Sequence, residues 1–110
     1  MFVLAKSSNY LWPIKYRFPV SGGIYQTMDF ELEFKRIPQS RIKEIVETKN
    51  LSNEEFAKEV VCGWKGVSDD SGKAISFSDT AFCELLDFPS MSANIIQVYM
   101  ESLQGSLIKN

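Results

Sequence analysis

The chain has 110 residues, of which 45% are hydrophobic, 13% aromatic and 24% charged, a size and balance that describe one globular domain and exclude a disordered segment. A domain of this length buries roughly two-thirds of the surface its unfolded chain exposes and needs no disulfide or metal staple. Twelve basic residues, only Arg17, Arg36 and Arg41 among them arginine, stand against fourteen acidic ones for a net charge of −2. That balance argues against nucleic-acid binding, which concentrates positive charge.

The first residues, Met1-Phe2-Val3-Leu4-Ala5-Lys6, are too short an apolar stretch for a signal peptide, and no apolar run approaches the ~20 residues of a membrane span. The expected setting is therefore cytosolic. From Ile14, the residues Ile14, Tyr16, Phe18 and Val20 alternate with Lys15, Arg17 and Pro19, the two-residue period of a half-buried strand. After Ser21-Gly22-Gly23 the pattern returns, with Met28, Phe30, Leu32 and Phe34 on one face and Asp29, Glu31, Glu33 and Lys35 on the other. Even-numbered apolar residues in both strands predict a hairpin closed by a three-residue loop at Gly22-Gly23-Ile24. That register sets Tyr16 opposite Phe30, Ile14 opposite Leu32, Lys15 opposite Glu31 and Arg17 opposite Asp29. Pro19 then requires an edge position or a strand end.

The change to helix falls near Ile37-Pro38. Pro38 suits the first turn of a helix to about Thr48, with Ile42, Ile45 and Val46 as its apolar stripe. Ser52 and Glu55 form a capping box, with Leu51 placed to staple to Phe56. This second helix is expected to bury Phe56, Val60 and Val61 and to stop at Gly63. Residues 64–72 read as a loop or short extended piece that closes on the turn signal Ser68-Asp69-Asp70-Ser71-Gly72. Ser78 caps a third helix with Phe77 and Phe82 as its staple and Phe82, Leu85 and Leu86 as its stripe. A last helix runs from about Met91 to Leu103, with Ile95, Ile96, Tyr99 and Leu103 on one face; residues 106–110 are expected to fray. The fold class is α+β: one domain over 1–110, β-rich over 1–36 and helical over 37–110. An N-terminal antiparallel hairpin or small sheet packs against about four helices.

Residues that carry chemistry are scarce. The chain contains no histidine, which removes the commonest general base and the commonest metal ligand, and with them any Ser-His-Asp or Cys-His arrangement. Cys62 and Cys83 lie twenty-one positions apart in apolar helical patterns and read as buried free thiols rather than a disulfide or a zinc site. Asp69-Asp70-Ser71-Gly72 fails the calcium-loop pattern, because its sixth and twelfth positions are Ala74 and Thr80. Neither Gly22-Gly23 nor Gly63-Trp64-Lys65-Gly66 has phosphate-loop spacing. Glu54, Glu55 and Glu59 read as dipole compensation and solvated charge at a helix start. No catalytic, cofactor or metal residues are nominated, and the chain is expected not to be an enzyme. Trp12 and Trp64 either plug the ends of the core or anchor a protein-binding surface, where tryptophan is over-represented. With Tyr16, they are the candidate partner-binding residues.

Several stretches together resemble one family, the tail assembly chaperones of long-tailed bacteriophages. They are Trp12-Pro13-Ile14; Phe30-Glu31-Leu32-Glu33-Phe34-Lys35-Arg36-Ile37 followed by Gln39-Ser40; and Val60-Val61-Cys62-Gly63-Trp64-Lys65-Gly66-Val67 with its acidic turn and Gly72. Ile75-Ser76-Phe77-Ser78, Leu85-Leu86-Asp87-Phe88-Pro89, Tyr99 and the tail from Gly105 to Asn110 complete the series, which spans nearly the whole chain. The resemblance implies a chaperone that binds the tape measure protein, keeps it soluble, and helps recruit tail tube subunits. It further implies the shorter, non-frameshifted form, present in the host bacterial cytoplasm and absent from the mature virion. A long amphipathic partner calls for exposed apolar surface repeated along it, and so for self-association as rings or an open helical array. The exposed hairpin edge near Trp12 is the first candidate surface. A structural tail or neck component, or a small adaptor or inhibitor of a host protein, are the alternatives.

Overall fold

A computed structural model describes residues 9–104, with the element order β1 (Tyr10–Val20), β2 (Ile24–Phe34), α1 (Gln39–Thr48), α2 (Asn53–Val60), β3 (Val61–Lys65), α3 (Asp79–Leu86) and α4 (Met91–Gln104). It is the expected α+β arrangement: an antiparallel sheet in the order β1-β2-β3 with four helices. Two parts of the sequence reading, residues 1–6 and 106–110, lie outside the described residues.

The hairpin turns one residue earlier than its pattern suggested. Val20 pairs with Ile24, so the loop is Ser21-Gly22-Gly23, and opposed pairs become Ile14–Phe30, Lys15–Asp29, Tyr16–Met28 and Arg17–Thr27. Both registers keep the even residues on one face; the glycines decide between them. Gly22 and Gly23 both have positive φ, 90° and 76°, which places both inside the loop where Ile24 would be strained. Lys15 still meets an acid, with its ammonium 3.1 Å from Asp29, whereas Arg17 instead lays its guanidinium 4.3 Å from the Tyr25 ring centroid.

β3 is the larger departure, because it inserts a strand into the half read as helical. Val61 ends α2 with extended backbone, and Trp64 pairs with Leu32 and Gly63 with Glu33. The pairing then skips from Gly63 to Val61 against Glu33 and Phe34, leaving Cys62 as the extra residue of a bulge. Cys62 is accordingly half-buried in a strand, and Cys83 is exposed on α3; both are free thiols, but neither is the buried helical cysteine expected. Burial pushes the Cys62 thiol upward, and the charge of Glu33 adds to that.

The helices cover the even-numbered face of the sheet. Ile14, Leu32, Phe34, Phe56, Val60, Phe82, Leu86, Met91, Ile95 and Tyr99 belong to one buried cluster drawn from both layers. Its centre is aromatic: the Phe34 and Tyr99 rings meet edge to face at 4.9 Å. Tyr99 is wholly buried and donates its hydroxyl hydrogen to the Lys35 carbonyl at 2.8 Å, so α4 is tied to the end of β2 by packing and by a hydrogen bond. The capping box at Ser52 forms in both directions, Glu55 N–H to Ser52 Oγ at 3.1 Å and Ser52 N–H to Glu55 Oε1 at 2.9 Å. Ser78 accepts from the Ala81 N–H at 3.1 Å, and the Phe77 and Phe82 rings lie 5.5 Å apart. Pro38 is the N-cap of α1 rather than its first residue. Two stripes are narrower than expected, since Val46 and Leu103 are exposed.

Candidate partner-binding surface

The layers have unequal lengths. Eleven residues in each hairpin strand extend about 36 Å at ~3.3 Å per residue. The fourteen residues of α4 reach about 21 Å. The hairpin therefore overhangs, and its far end keeps apolar side chains without full cover. Ile24 is 61% exposed, Tyr25 57% and Met28 41%.

Beside this overhang lies an open groove of about 540 Å³. Tyr16, Phe18, Met28 and Phe30 form its hairpin wall, Leu85, Phe88 and Met91 its helical wall, and the loop from Gly66 to Asp70 its third side. Phe88 is 44% exposed and meets the Tyr16 ring at 6.1 Å and the Phe18 ring at 6.4 Å. The loop is held by Asp69, whose carboxylate accepts from Ser71 N–H (2.9 Å), Ser71 Oγ (2.7 Å) and Lys73 N–H (3.0 Å). These bonds, the Ser71 hydroxyl foremost, hold the Asp69 carboxyl below the ordinary carboxylate range. The turn signal thus makes a solvated turn. Asp70, beside it on the groove rim, has no side-chain partner among the described residues.

The three nominated residues occupy different environments. Trp12 lies within β1 opposite Leu32, 37% exposed, with its ring edge on Tyr10 at 6.1 Å. Tyr16 is buried, donates to the Pro89 carbonyl at 2.8 Å and supplies one wall of the groove. Trp64 also pairs with Leu32, from the other side, so the two tryptophans flank one core leucine across the sheet. Their ring partners are separate: Trp64 meets Phe77 at 5.2 Å and donates its indole N–H to the Ile75 carbonyl at 2.8 Å. Trp64 therefore pins the 66–77 loop against β3, and only Trp12 presents much of its ring outward. The sequence reading missed Met28, Tyr25 and Phe88. In the sequence Met28 is one more member of the apolar face, and Tyr25 and Phe88 lie outside any periodic stretch; the unequal lengths of the strands and helices leave them exposed.

Among the described residues no three of His, Cys, Asp and Glu gather as metal ligands, and no helix is long and apolar enough to cross a membrane. Comparison with protein-family models, curated proteins and solved structures returns no match.

Proposed function

We propose that this chain is a tail assembly chaperone of a long-tailed phage. On this reading it binds the tape measure protein in the host cytoplasm, keeps it soluble, and helps recruit tail tube subunits before leaving the finished tail. The observation that carries the reading is where the exposed apolar side chains lie. Of the nine large ones among the described residues, five (Leu11, Trp12, Ile24, Tyr25 and Met28) are on the two hairpin strands. They fall at the two ends of the hairpin rather than around one cavity, and apolar contacts spread along an element suit a long polypeptide better than a small ligand, which would favour one deep pocket. Trp12, the exposed indole, is the proposed anchor for the tape measure protein.

Co-expression with the tape measure protein encoded nearby, followed by size-exclusion chromatography with light scattering, tests this. The expected outcome is co-elution, with the tape measure soluble only when this chain is present, and weaker retention for Trp12→Ala. A lone monomer beside an insoluble tape measure overturns the chaperone reading and favours a virion component or a host-directed adaptor.

A further inference from the structure

The sheet has unpaired backbone along the outer side of β1, along the outer side of the short β3, and along the part of β2 that β3 does not cover, and these stretches are not equivalent. Proline carries no N–H, so Pro13 and Pro19 sit in β1 only where that group would point away from β2. Backbone direction alternates along a strand, which turns every odd-numbered residue of β1 outward. The Lys15 carbonyl agrees, since it accepts from Asn94 Nδ2 on α4 at 3.2 Å. The outer edge of β1 thus lacks two donors and is partly occupied by α4. It is a blunted edge.

The pairing of β1 with β2 makes the even residues of β2 face β1 and the odd residues face away. Glu31 and Glu33 are met by Lys65 and Gly63 of β3. The chain then leaves the sheet at Gly66, whose φ of +86° turns it away beneath Phe30. Tyr25, Thr27 and Asp29 are left with outward N–H and C=O groups that no strand or loop among the described residues meets. No proline interrupts this stretch.

The geometry points to this edge as a docking slot for an extended segment of another polypeptide, one that continues β3's place in the sheet with alternating apolar and basic side chains. Neighbours across a ladder share a face. Side chains of an added strand opposite Gln26 and Met28 would enter the groove walled by Phe18, Phe30, Phe88 and Met91, which asks for apolar residues. Those opposite Thr27 and Asp29 would lie on the open face. The groove rim carries Asp29, Asp69 and Asp70, so the charge complement along the rim is lysine or arginine; on the open face Lys15, bonded to Asp29, and Arg17, opposite Thr27 and stacked on Tyr25, are the nearby cations. The slot does not depend on the chaperone reading.

The probe is a capped peptide alternating lysine and valine, about seven residues long to cover the three outward positions, titrated into the full-length ¹⁵N-labelled chain. Binding should shift the Tyr25, Thr27 and Asp29 amides and slow their hydrogen exchange. Thr27→Pro removes one outward donor without touching the ladder to β1 and should weaken binding about tenfold at unchanged melting temperature. Asp70→Lys should weaken it in a salt-dependent way, and N-methylation of the peptide's ladder-facing amides should abolish it. Shifts confined to other amides, or equal binding by the N-methylated peptide, overturn the proposal. Protection of the three amides that grows with protein concentration in the absence of peptide also overturns it, by assigning the slot to a second copy.

Discussion

Arg41 and Glu59 show what a single pair contributes to this fold and when it stops contributing. The guanidinium meets the carboxylate with two parallel bonds of 2.7 Å each, Nε to Oε2 and Nη2 to Oε1. It spends its remaining reach on Glu44 at 3.0 Å. The pair bridges α1 to α2, so it fixes how α1 lies against the helical layer rather than decorating one surface. Arg41's hydrogen bonds are the main reason the Glu59 carboxyl titrates below its ordinary range, with partial burial opposing them. A carboxyl whose folded pKa is depressed stabilises the fold fully above its unfolded pKa of about 4.3 and loses that stabilisation as pH falls through the folded value. Wild type should therefore exceed Glu59→Gln in urea stability by a constant margin near neutral pH, and the margin should shrink only in the acid range below about pH 4. Asp69 is depressed in the same direction, so acid weakens both proteins; the difference between them isolates Glu59. A margin that persists at pH 3, or none at pH 7, would show that the bidentate pair does not contribute this way.

At the scale of elements, the third strand is defined by its glycines. Gly66 ends it at φ +86°, and a Cβ there would stand 3.6 Å from Phe30 Cα, an ordinary contact. The cost of Gly66→Ala is thus conformational and amounts to about 1–2 kcal/mol. Gly63 has no such backbone demand, and the atom that a Cβ would meet at 2.6 Å is Glu33 Oε1, the far end of a flexible side chain that can swing aside. Urea unfolding should show Gly66→Ala clearly destabilised and Gly63→Ala by less than half as much; the reverse order would mean that the close approach of β3 to β2, not the turn, limits the strand. These glycines also explain what was hidden in the sequence. The hairpin's faces were legible because alternation over 14–20 in one strand and 28–35 in the next has one solution for phase. The loop position was not, since a shift of the turn by one residue moves the pairing by two and leaves every side chain on the same face. β3 was masked because Val60-Val61 continues the apolar stripe of α2 seamlessly, and five residues are too few to set their own period. The helices were legible from caps, Ser52 with Glu55 and Ser78, whose side chains act within one turn and need no tertiary context. Of the surface, the exposed Trp12 was named from its residue type, whereas the groove needed the fold: Met28 and Phe88 lie sixty positions apart in the chain, and only the packing of α3 and α4 beside the overhanging hairpin places both on its walls.

The molecule as a whole joins a long hairpin to a shorter helical layer through one cluster of buried side chains, within extents of 47 × 33 × 27 Å. Ile14, Leu32 and Phe34 of the sheet share that cluster with Phe56, Ile95 and Tyr99 of the helices. Neither layer buries its apolar face without the other: a two-stranded hairpin is marginal alone, and helices of eight to fourteen residues gain most of their stability from packing. Folding should then be one transition in which sheet and helices form together. Ile95 tests this, because it is wholly buried on α4 and distant in sequence from every strand. Ile95→Ala should cost about 2–5 kcal/mol, a large share of the ~5–15 kcal/mol that holds a domain together. Both tryptophans lie in sheet strands, but Trp64 packs on Phe77 and on Phe82 of α3; in a Trp64→Phe background the fluorescence of Trp12 reports the sheet, while far-UV circular dichroism at 222 nm is dominated by the helices. The two probes should give one coincident urea transition in that background and one coincident, lowered transition when Ile95→Ala is added. If the helical signal moved to lower urea while the tryptophan signal stayed in place, the hairpin would hold its structure independently. The overhang would then be an extension of a self-sufficient sheet, and an added strand at Tyr25–Asp29 would not be expected to stabilise α4. With a shared core it should, because any ligand that binds only the folded sheet raises the stability of everything that unfolds with it.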